Sequence, residues 1–330
     1  MRVHDVIIVG GSLAGAACVR ELNRMGIDAI ALERDRFPRR KVCGGFVSPG
    51  AVVCLDRLGV LSEVREAGAV EVRSARVRVG LAEVEIPFER RGLGISRNAL
   101  DHLMARGARV EQGSSVHAVR RDGQGFVVDE LRCRALIDGS GKLSRFTKRN
   151  GVEEFGVQSI RAPANGSVLD FSFFEDGYGG TVSIEGGYSN SCFLIRKDAL
   201  RRYVDREDCL VTGPLAYDKV PGDVIAIGDA AGMVDPFCGE GMRHALETGM
   251  MAAGVVARGI RRGASYAEMK WEYERMYERR WANRRMLGAM IRRLLSHRKA
   301  FAAALRVTPA RLLNQMWKGE EILNYPFSQP

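Results

Sequence analysis

DVIIVGGSLAGAACVRELNRMGIDAIALE, Asp5 to Glu33, is the stretch that decides how this chain folds. Asp5 to Val9 is a short apolar run of the kind that forms a buried parallel strand, and Gly10 to Gly15 (GGSLAG) is a glycine-rich turn. Leu13 to Met25 reads as a helix, with Ala16, Ala17 and Val19 near its start, and Asp28 to Leu32 is a second apolar strand that ends on Glu33. Strand, glycine turn, helix, strand and acid, in that order, make a βαβ unit. Such a unit can hold a pyrophosphate on the helix N-terminus and an adenosine ribose on the acid. One position departs from the usual G-x-G-x-x-G spelling. The second glycine, where backbone approaches pyrophosphate, is Ser12, whose side chain must point away or donate its own hydrogen bond. Gly10 can still make the tight turn, and Gly15 can still let the helix pack closely.

A second glycine-rich turn, GDAAGMVDPFCGEGM from Gly228 to Met242, follows the apolar run Val224 to Ile227 and leads into a helix from about Gly241 to Ala257. Two such turns far apart in sequence suit one extended dinucleotide such as FAD, held by the first turn and closed over by the second.

At 330 residues, 46% hydrophobic and 27% charged, the chain has the composition of a globular protein with one large core or two lobes. No stretch approaches the roughly 20 apolar residues of a membrane-spanning helix. Met1 leads into a strand without a signal-peptide pattern, so a cytoplasmic location is expected. The cysteines (Cys18, Cys43, Cys54, Cys133, Cys192, Cys209, Cys238) form no C-x-x-C pair, and His4, His102, His117, His244 and His297 show no ligand spacing. Neither a disulfide framework nor a metal site is indicated. The formal charge of +10 is concentrated at one end: Arg258 to Pro330 carries 16 Lys+Arg against 6 Asp+Glu, and the rest is balanced. Ala264 to Leu295 places Met269, Met276, Leu287, Met290, Ile291 and Leu294 at helical spacing with arginines between them. This predicts a helical layer with a solvated basic face, a peripheral contact with anionic lipid being the alternative use. No aromatic-and-basic recognition module is present, so no specific nucleic-acid partner is expected.

Between the two turns the chain leaves the first sheet and returns. Arg36 to Gly50 is a loop rich in glycine, proline and arginine; helices are predicted over Ala51–Leu58 and Leu61–Ala67, and strands over Ser74–Val79 and Ala82–Pro87. A helix follows at Asn98–Arg106, then short strands at Arg109–Gln112, Val116–Arg120, Phe126–Val128 and Ala135–Ile137, the last leading into DGSGKLSR (Asp138–Arg145). Gln158–Phe174 and Thr181–Ile195 return to strand-like alternation. The predicted class is α/β. A Rossmann-like dinucleotide lobe (1–70, 96–150 and 215–260) interleaves with a smaller β-sheet substrate lobe (71–95 and 151–214), and a basic helical segment (261–330) closes the chain.

GGSLAG with Glu33, KVCGGFVSP (Lys41–Pro49), ISRNALDHLM around Arg97, the DGSG turn and GDAAGMVDPFCGEGM stand in the order found in a family of FAD-dependent oxidoreductases. That family includes geranylgeranyl reductases, flavin-dependent halogenases and para-hydroxybenzoate hydroxylase-like monooxygenases. Over residues 1 to about 260 the chain most resembles the geranylgeranyl reductase branch. The resemblance implies FAD as cofactor. It places Gly10, Ser12 and Gly15 at the pyrophosphate, Glu33 at the adenosine ribose and Arg97 at the cofactor's central part, with Leu13, Ala14 and Arg34 also in the cofactor-binding set. Arg40 and Gly44 join the cofactor-binding set, and Asp138 and Gly139 stand at the family's Asp-Gly turn. Gly228 and Asp229 match the pair whose carboxylate accepts from ribityl hydroxyls, and Pro236, Gly239, Gly241 and Met242 would lie along the flavin ring. A helix N-terminus there would face the negative charge of a reduced ring.

Lys41 and Cys43 of the K-x-C-G segment, and Tyr178, are the catalytic candidates the resemblance implies. Tyr178 stands in the family's Tyr-x-Trp-x-Phe-Pro stretch, with Gly180 in place of the tryptophan. None of Trp271, Trp281 and Trp317 lies in the Trp-x-Trp-x-Ile-Pro motif of tryptophan halogenases. The implied activity is reduction or oxidation of a carbon–carbon bond in a hydrophobic or bulky small molecule. The alternatives are monooxygenation through a flavin hydroperoxide, halogenation, an NAD-dependent dehydrogenase, and a flavoprotein that docks on membrane or RNA through its basic C-terminus without turnover. No second glycine fingerprint is visible for NADPH, so NAD(P)H binding transiently, or a separate reductase, is the expected source of electrons.

Overall fold

The computed structural model describes residues 2–123, 125–150, 154–164, 166–204, 208–215, 218–220 and 222–295. The part of the expected basic segment beyond Leu295 lies outside them. β1 (Arg2–Val9), α1 (Leu13–Arg24) and β2 (Ala29–Glu33) form the opening unit, with the two strands parallel. Val6, Ile7 and Ile8 are all buried, as a strand covered on both faces requires. The chain then crosses through β3 (Phe46–Val47), α2 (Pro49–Arg57) and α3 (Leu61–Glu66) to a long hairpin, β4 (Val70–Val79) and β5 (Ala82–Gly94). It returns through α4 (Arg97–Ala105), β6 (Val110–Gln112), β7 (Val119–Asp122), β8 (Gly125–Val128) and β9 (Leu131–Asp138). β10 (Lys148–Asn150), β11 (Glu154–Arg161), β12 (Val168–Phe174), β13 (Gly177–Ile184), β14 (Tyr188–Arg196), α5 (Arg201–Val204), β15 (Leu210–Thr212) and β16 (Asp218–Val220) follow. β17 (Ile225–Ala226), α6 (Gly241–Arg261) and α7 (Tyr266–Leu295) complete the described chain.

The first sheet has seven strands in the order β6-β2-β1-β9-β8-β7, with β17 also beside β9; β6, β2, β1, β9 and β17 run parallel. The second sheet has eight, in the order β15-β11-β14-β13-β12-β4-β5-β3, and β10 pairs with β16 alone. Phe46–Val47, early in the chain, therefore belongs to the second sheet. In the first sheet Val9 is level with Leu32 on one side and Asp138 on the other, and Asp138 is level with Ala226. Glu33 and the turns beginning at Gly10, Gly139 and Gly228 thus leave from one edge, the carboxyl ends of parallel strands, where α/β sheets bind ligands.

α6 lies directly on α1. A Cβ on Gly249 would stand 2.3 Å from the Ala14 carbonyl oxygen, so only a glycine permits this approach. α7 is the predicted helical layer, but its arginines are not all on a solvated face. Tyr266, Met269, Tyr273, Tyr277 and Trp281 are buried, and Arg280, Arg284 and Arg292 turn inward to Glu247, Glu240 and Asp235. The physical reason is the acid content of the underlying surface: those three carboxylates are buried and need cationic partners.

Candidate cofactor and active site

The first turn is built by close approach. Gly10 has φ 98°, and a Cβ on Gly15 would stand 1.8 Å from the Gly10 carbonyl oxygen, so α1 begins in contact with the turn that precedes it. Ser12 is the N-cap of α1 but makes no side-chain cap. The first backbone N–H groups of the helix therefore keep their donors for an anion. The neighbouring turns close in: Gly139 N–H donates to the Val9 carbonyl at 2.8 Å, and a Cβ on Gly10 would meet the Gly139 oxygen at 2.5 Å. Gly228, at φ 57°, would bring a Cβ to 3.0 Å from Ala14, and its N–H donates to Thr248 Oγ1 of α6 at 2.9 Å. The two glycine-rich turns, remote in sequence, share one site.

Ser12 explains its own departure from glycine. Its hydroxyl turns to α4, donating to Asp101 Oδ2 at 3.2 Å and accepting from Arg97 Nη2 at 2.7 Å. Arg97 also grips Asp101 from the same helix, Nε at 2.9 Å and Nη2 at 2.7 Å from Oδ1, with both side chains buried. Asp101 was not among the sequence candidates, although its position one helical turn after Arg97 was a usable signal. Arg39 adds a second cation, 3.8 Å from Asp101 and 3.1 Å from Asp35. The Lys41 ammonium lies in the field of Arg97, Asp101, Asp229 and Arg39; enclosure by protein, with Arg97 adding to it, pushes its pKa below the ordinary lysine value. Asp229 accepts no hydrogen bond among the described residues, which leaves its oxygens for a ligand hydroxyl.

Glu33 is buried at the end of β2 and accepts from Gly11 N–H at 2.9 Å and Asp35 N–H at 3.1 Å, each on a different oxygen. Asp138 ends β9 at the turn the sequence marked. It is fully buried, and its carboxylate accepts from Ser140 N–H, Ser140 Oγ and Ser144 Oγ at 3.0, 2.5 and 2.5 Å, so it clasps its own turn. Arg34 and Arg40 are exposed, and Arg39 is the arginine of this loop that reaches Asp101. Leu13 and Met242 point into an apolar cluster against which Cys43 packs, and the Cys43 carbonyl accepts from Asn190 Nδ2 at 2.9 Å. A Cβ on Gly44 or Gly241 would meet nothing within 4 Å, so both look onto open space. Pro236 starts a short helical turn that Gly239 ends in the left-handed region, φ 62°.

Tyr178 comes to this loop from the second sheet. Its hydroxyl donates to Asp235 Oδ1 at 2.6 Å; the same oxygen accepts Phe237 N–H at 3.0 Å, and Oδ2 lies 3.1 Å from Arg292 Nε. Burial pushes the Asp235 carboxyl up, against the pull of Tyr178 and Arg292. Phe171, Phe173, Tyr178 and Phe237 form one aromatic cluster, with ring centroids 5.2 to 5.9 Å apart in the pairs that touch. Sequence reasoning found Tyr178 but neither Asp235 nor Arg292, whose meeting requires three distant segments. Behind the loop, Glu240 and, from α6, Arg243 and Glu247 are buried together, with Arg243 Nη1 3.0 Å from Glu240 and Nε 3.3 Å from Glu247.

This edge fits an FAD: donors at the start of α1, glycines that no side chain could replace at the pyrophosphate turn, an unbonded carboxylate at Asp229 and open space beside Gly44 and Gly241. Fold and site together define a dinucleotide-binding α/β protein. Residues 3–169 match the FAD binding domain family, and the chain belongs to it. It is 30% identical to the menaquinone reductase of Mycobacterium tuberculosis over 318 residues, covering 76% of this chain and 75% of that one. It is 25% identical to digeranylgeranylglycerophospholipid reductase 2 of Methanothermobacter thermautotrophicus, covering 90% and 87%. Among solved structures, a flavin-dependent brominase superposes with a TM-score of 0.77 over 97% of each chain at 20% identity, a likeness of fold alone. The protein is an FAD-dependent oxidoreductase.

Proposed function

We propose that this enzyme transfers electrons to an unsaturated, hydrophobic lipid-like molecule, reducing a carbon–carbon double bond or a quinone ring. The observation that carries the reading is the aromatic wall. Phe171, Phe173 and Tyr178 of the second sheet pack against Phe237 of the Asp235–Gly239 loop, an apolar cluster with one hydroxyl in it, in which Phe171 and Phe237 are half-buried. The reductases of menaquinone and of digeranylgeranylglycerophospholipids among the relatives support the same substrate class. FAD supplies the two-electron chemistry when bound, with NAD(P)H or a separate reductase as the electron source.

The chain's own residues would do the rest. Ser12 and Asp101 hold the Arg97 guanidinium in place, the start of α1 and Arg97 would bind the diphosphate, and Asp229 the ribityl hydroxyls. The aromatic wall would bind substrate and exclude water. Tyr178 Oη is the proton donor closest in kind to what a reduced double bond needs. Asp235, whose carboxyl burial pushes up, can carry the replacement proton. Cys43, packed against the apolar cluster that includes Met242, would serve as a filler, and Lys41 would act through charge.

The test is anaerobic. Protein reduced with dithionite is mixed with menaquinone or an unsaturated isoprenoid lipid, and flavin reoxidation and product mass are followed. Reoxidation without oxygen and a product gaining two hydrogens support the reading; turnover only in air with a product gaining oxygen overturns it in favour of monooxygenation. Tyr178→Phe should lower kcat by about 100-fold with KM little changed.

A further inference from the structure

Arg275, Arg279, Met286 and Met290 of α7 recur at intervals of four, seven and four residues, so they lie on one line along the helix. That line is opposite the buried face carrying Tyr273, Tyr277, Trp281 and Gly288. Met286 and Met290 are 60% and 61% exposed, Leu287 beside them 39% and Trp271 59%. The Arg275 guanidinium lies over the Trp271 ring, 4.6 Å from its centroid. Among the described residues neither Arg275 nor Arg279 makes an ion pair, whereas Lys270, Arg280, Arg284, Arg285 and Arg292 all do. Single exposed apolar residues are ordinary; three together, continued by a tryptophan and two cations that make no ion pair, are not. The apolar end is also beside the active-site loop, because Gly288 approaches Asp235 so closely that a Cβ there would stand 2.8 Å from the Asp235 Cβ.

We propose that the outer face of α7 docks on an anionic lipid bilayer, with Met286, Leu287 and Met290 entering the acyl boundary and Arg275 and Arg279 resting on the headgroups. Methionine and arginine suit this place. Methionine adapts to a disordered surface, and arginine can lay its stem on the apolar boundary while its head stays wet. A second protein chain fits less well, because three aliphatic side chains and a tryptophan fall short of the roughly 1,200 Å² that a stable interface buries. A bilayer needs no matching shape, and the charge excess at this end of the chain, 16 Lys+Arg against 6 Asp+Glu from Arg258 onward, suits its sign. Docking here would bring the Asp235–Gly239 loop to the phase in which a lipid-like substrate resides.

The test is co-sedimentation of the full-length FAD-loaded protein with vesicles of phosphatidylcholine alone and of phosphatidylcholine with phosphatidylglycerol. Binding to the anionic vesicles alone, weakening as salt is raised, is the expected result. The double variant Arg275→Gln/Arg279→Gln should bind about 30-fold more weakly, and Met286→Ser/Met290→Ser at least 10-fold more weakly, each with unchanged circular dichroism and bound flavin. Absence of binding by the wild type, or variants that bind as the wild type does, would overturn the proposal. So would light scattering showing a wild-type dimer that the methionine variant abolishes while vesicle binding persists, since the face would then be a contact between two copies. Vesicle binding involves no turnover, so its failure leaves the proposed redox function standing.

Discussion

Replacing Asp101 with Asn tests how the buried cluster behind the first glycine turn works. Asp101 has no exposure, and it takes three hydrogen bonds from the Arg97 guanidinium and one from Ser12 Oγ. Asn keeps the size and one acceptor oxygen but removes the charge, leaving Arg97 with Asp229 as its remaining acid and Arg39 with Asp35. Removing one partner of a buried pair costs about 3–5 kcal/mol, and the retained acceptor places Asp101→Asn near the lower end. At about 2–4 °C per kcal/mol, the apoprotein should melt roughly 6–12 °C lower. The flavin-loaded protein should lose less, because the cofactor's diphosphate would return negative charge to the guanidinium. Differential scanning of apo and holo forms of both proteins measures the two drops. An apo drop within about 1 kcal/mol of zero would show that Arg97 does not depend on Asp101 for its charge balance. Equal drops in apo and holo forms would show that Arg97 does not face the cofactor.

Gly15→Ala would set a Cβ 1.8 Å from the Gly10 oxygen, and since backbone must move to relieve it, the purified protein should carry little FAD, read from its visible absorbance. Asp229→Ala should likewise lose flavin during purification; stoichiometric FAD would remove that carboxylate from the ribityl site. Lys41 has its pKa lowered in the folded chain, so unfolded chains bind its proton more tightly. Its cost to the apoprotein is full below the lowered folded value and disappears as pH rises toward the ordinary lysine value. Lys41→Met should therefore stabilise the apoprotein at neutral pH, and flatten a wild-type FAD affinity that weakens as pH rises through that window, measured by flavin fluorescence.

The opening βαβ unit was legible residue by residue, because strand and helix faces follow from periodicity within a few residues. Glycine at positions 10 and 15 leaves a turn few alternatives. The Arg97–Asp101 pair was equally within reach, being one helical turn apart. Other features needed the folded chain. Whether Ser12 would face a ligand or α4 depended on a helix 85 residues later, and only the register of β1, β9 and β17 brought Gly10, Gly139 and Gly228 to one edge. Composition could count the arginines of α7 but not divide them. Arg280, Arg284 and Arg292 turn in because buried carboxylates of α6 and its preceding loop lie beneath them, whereas Arg275 and Arg279 make no ion pair among the described residues. Local pattern determines which element forms and which face is apolar. Which charge meets which is decided only when distant segments pack, since a buried carboxylate selects its partner by position in space.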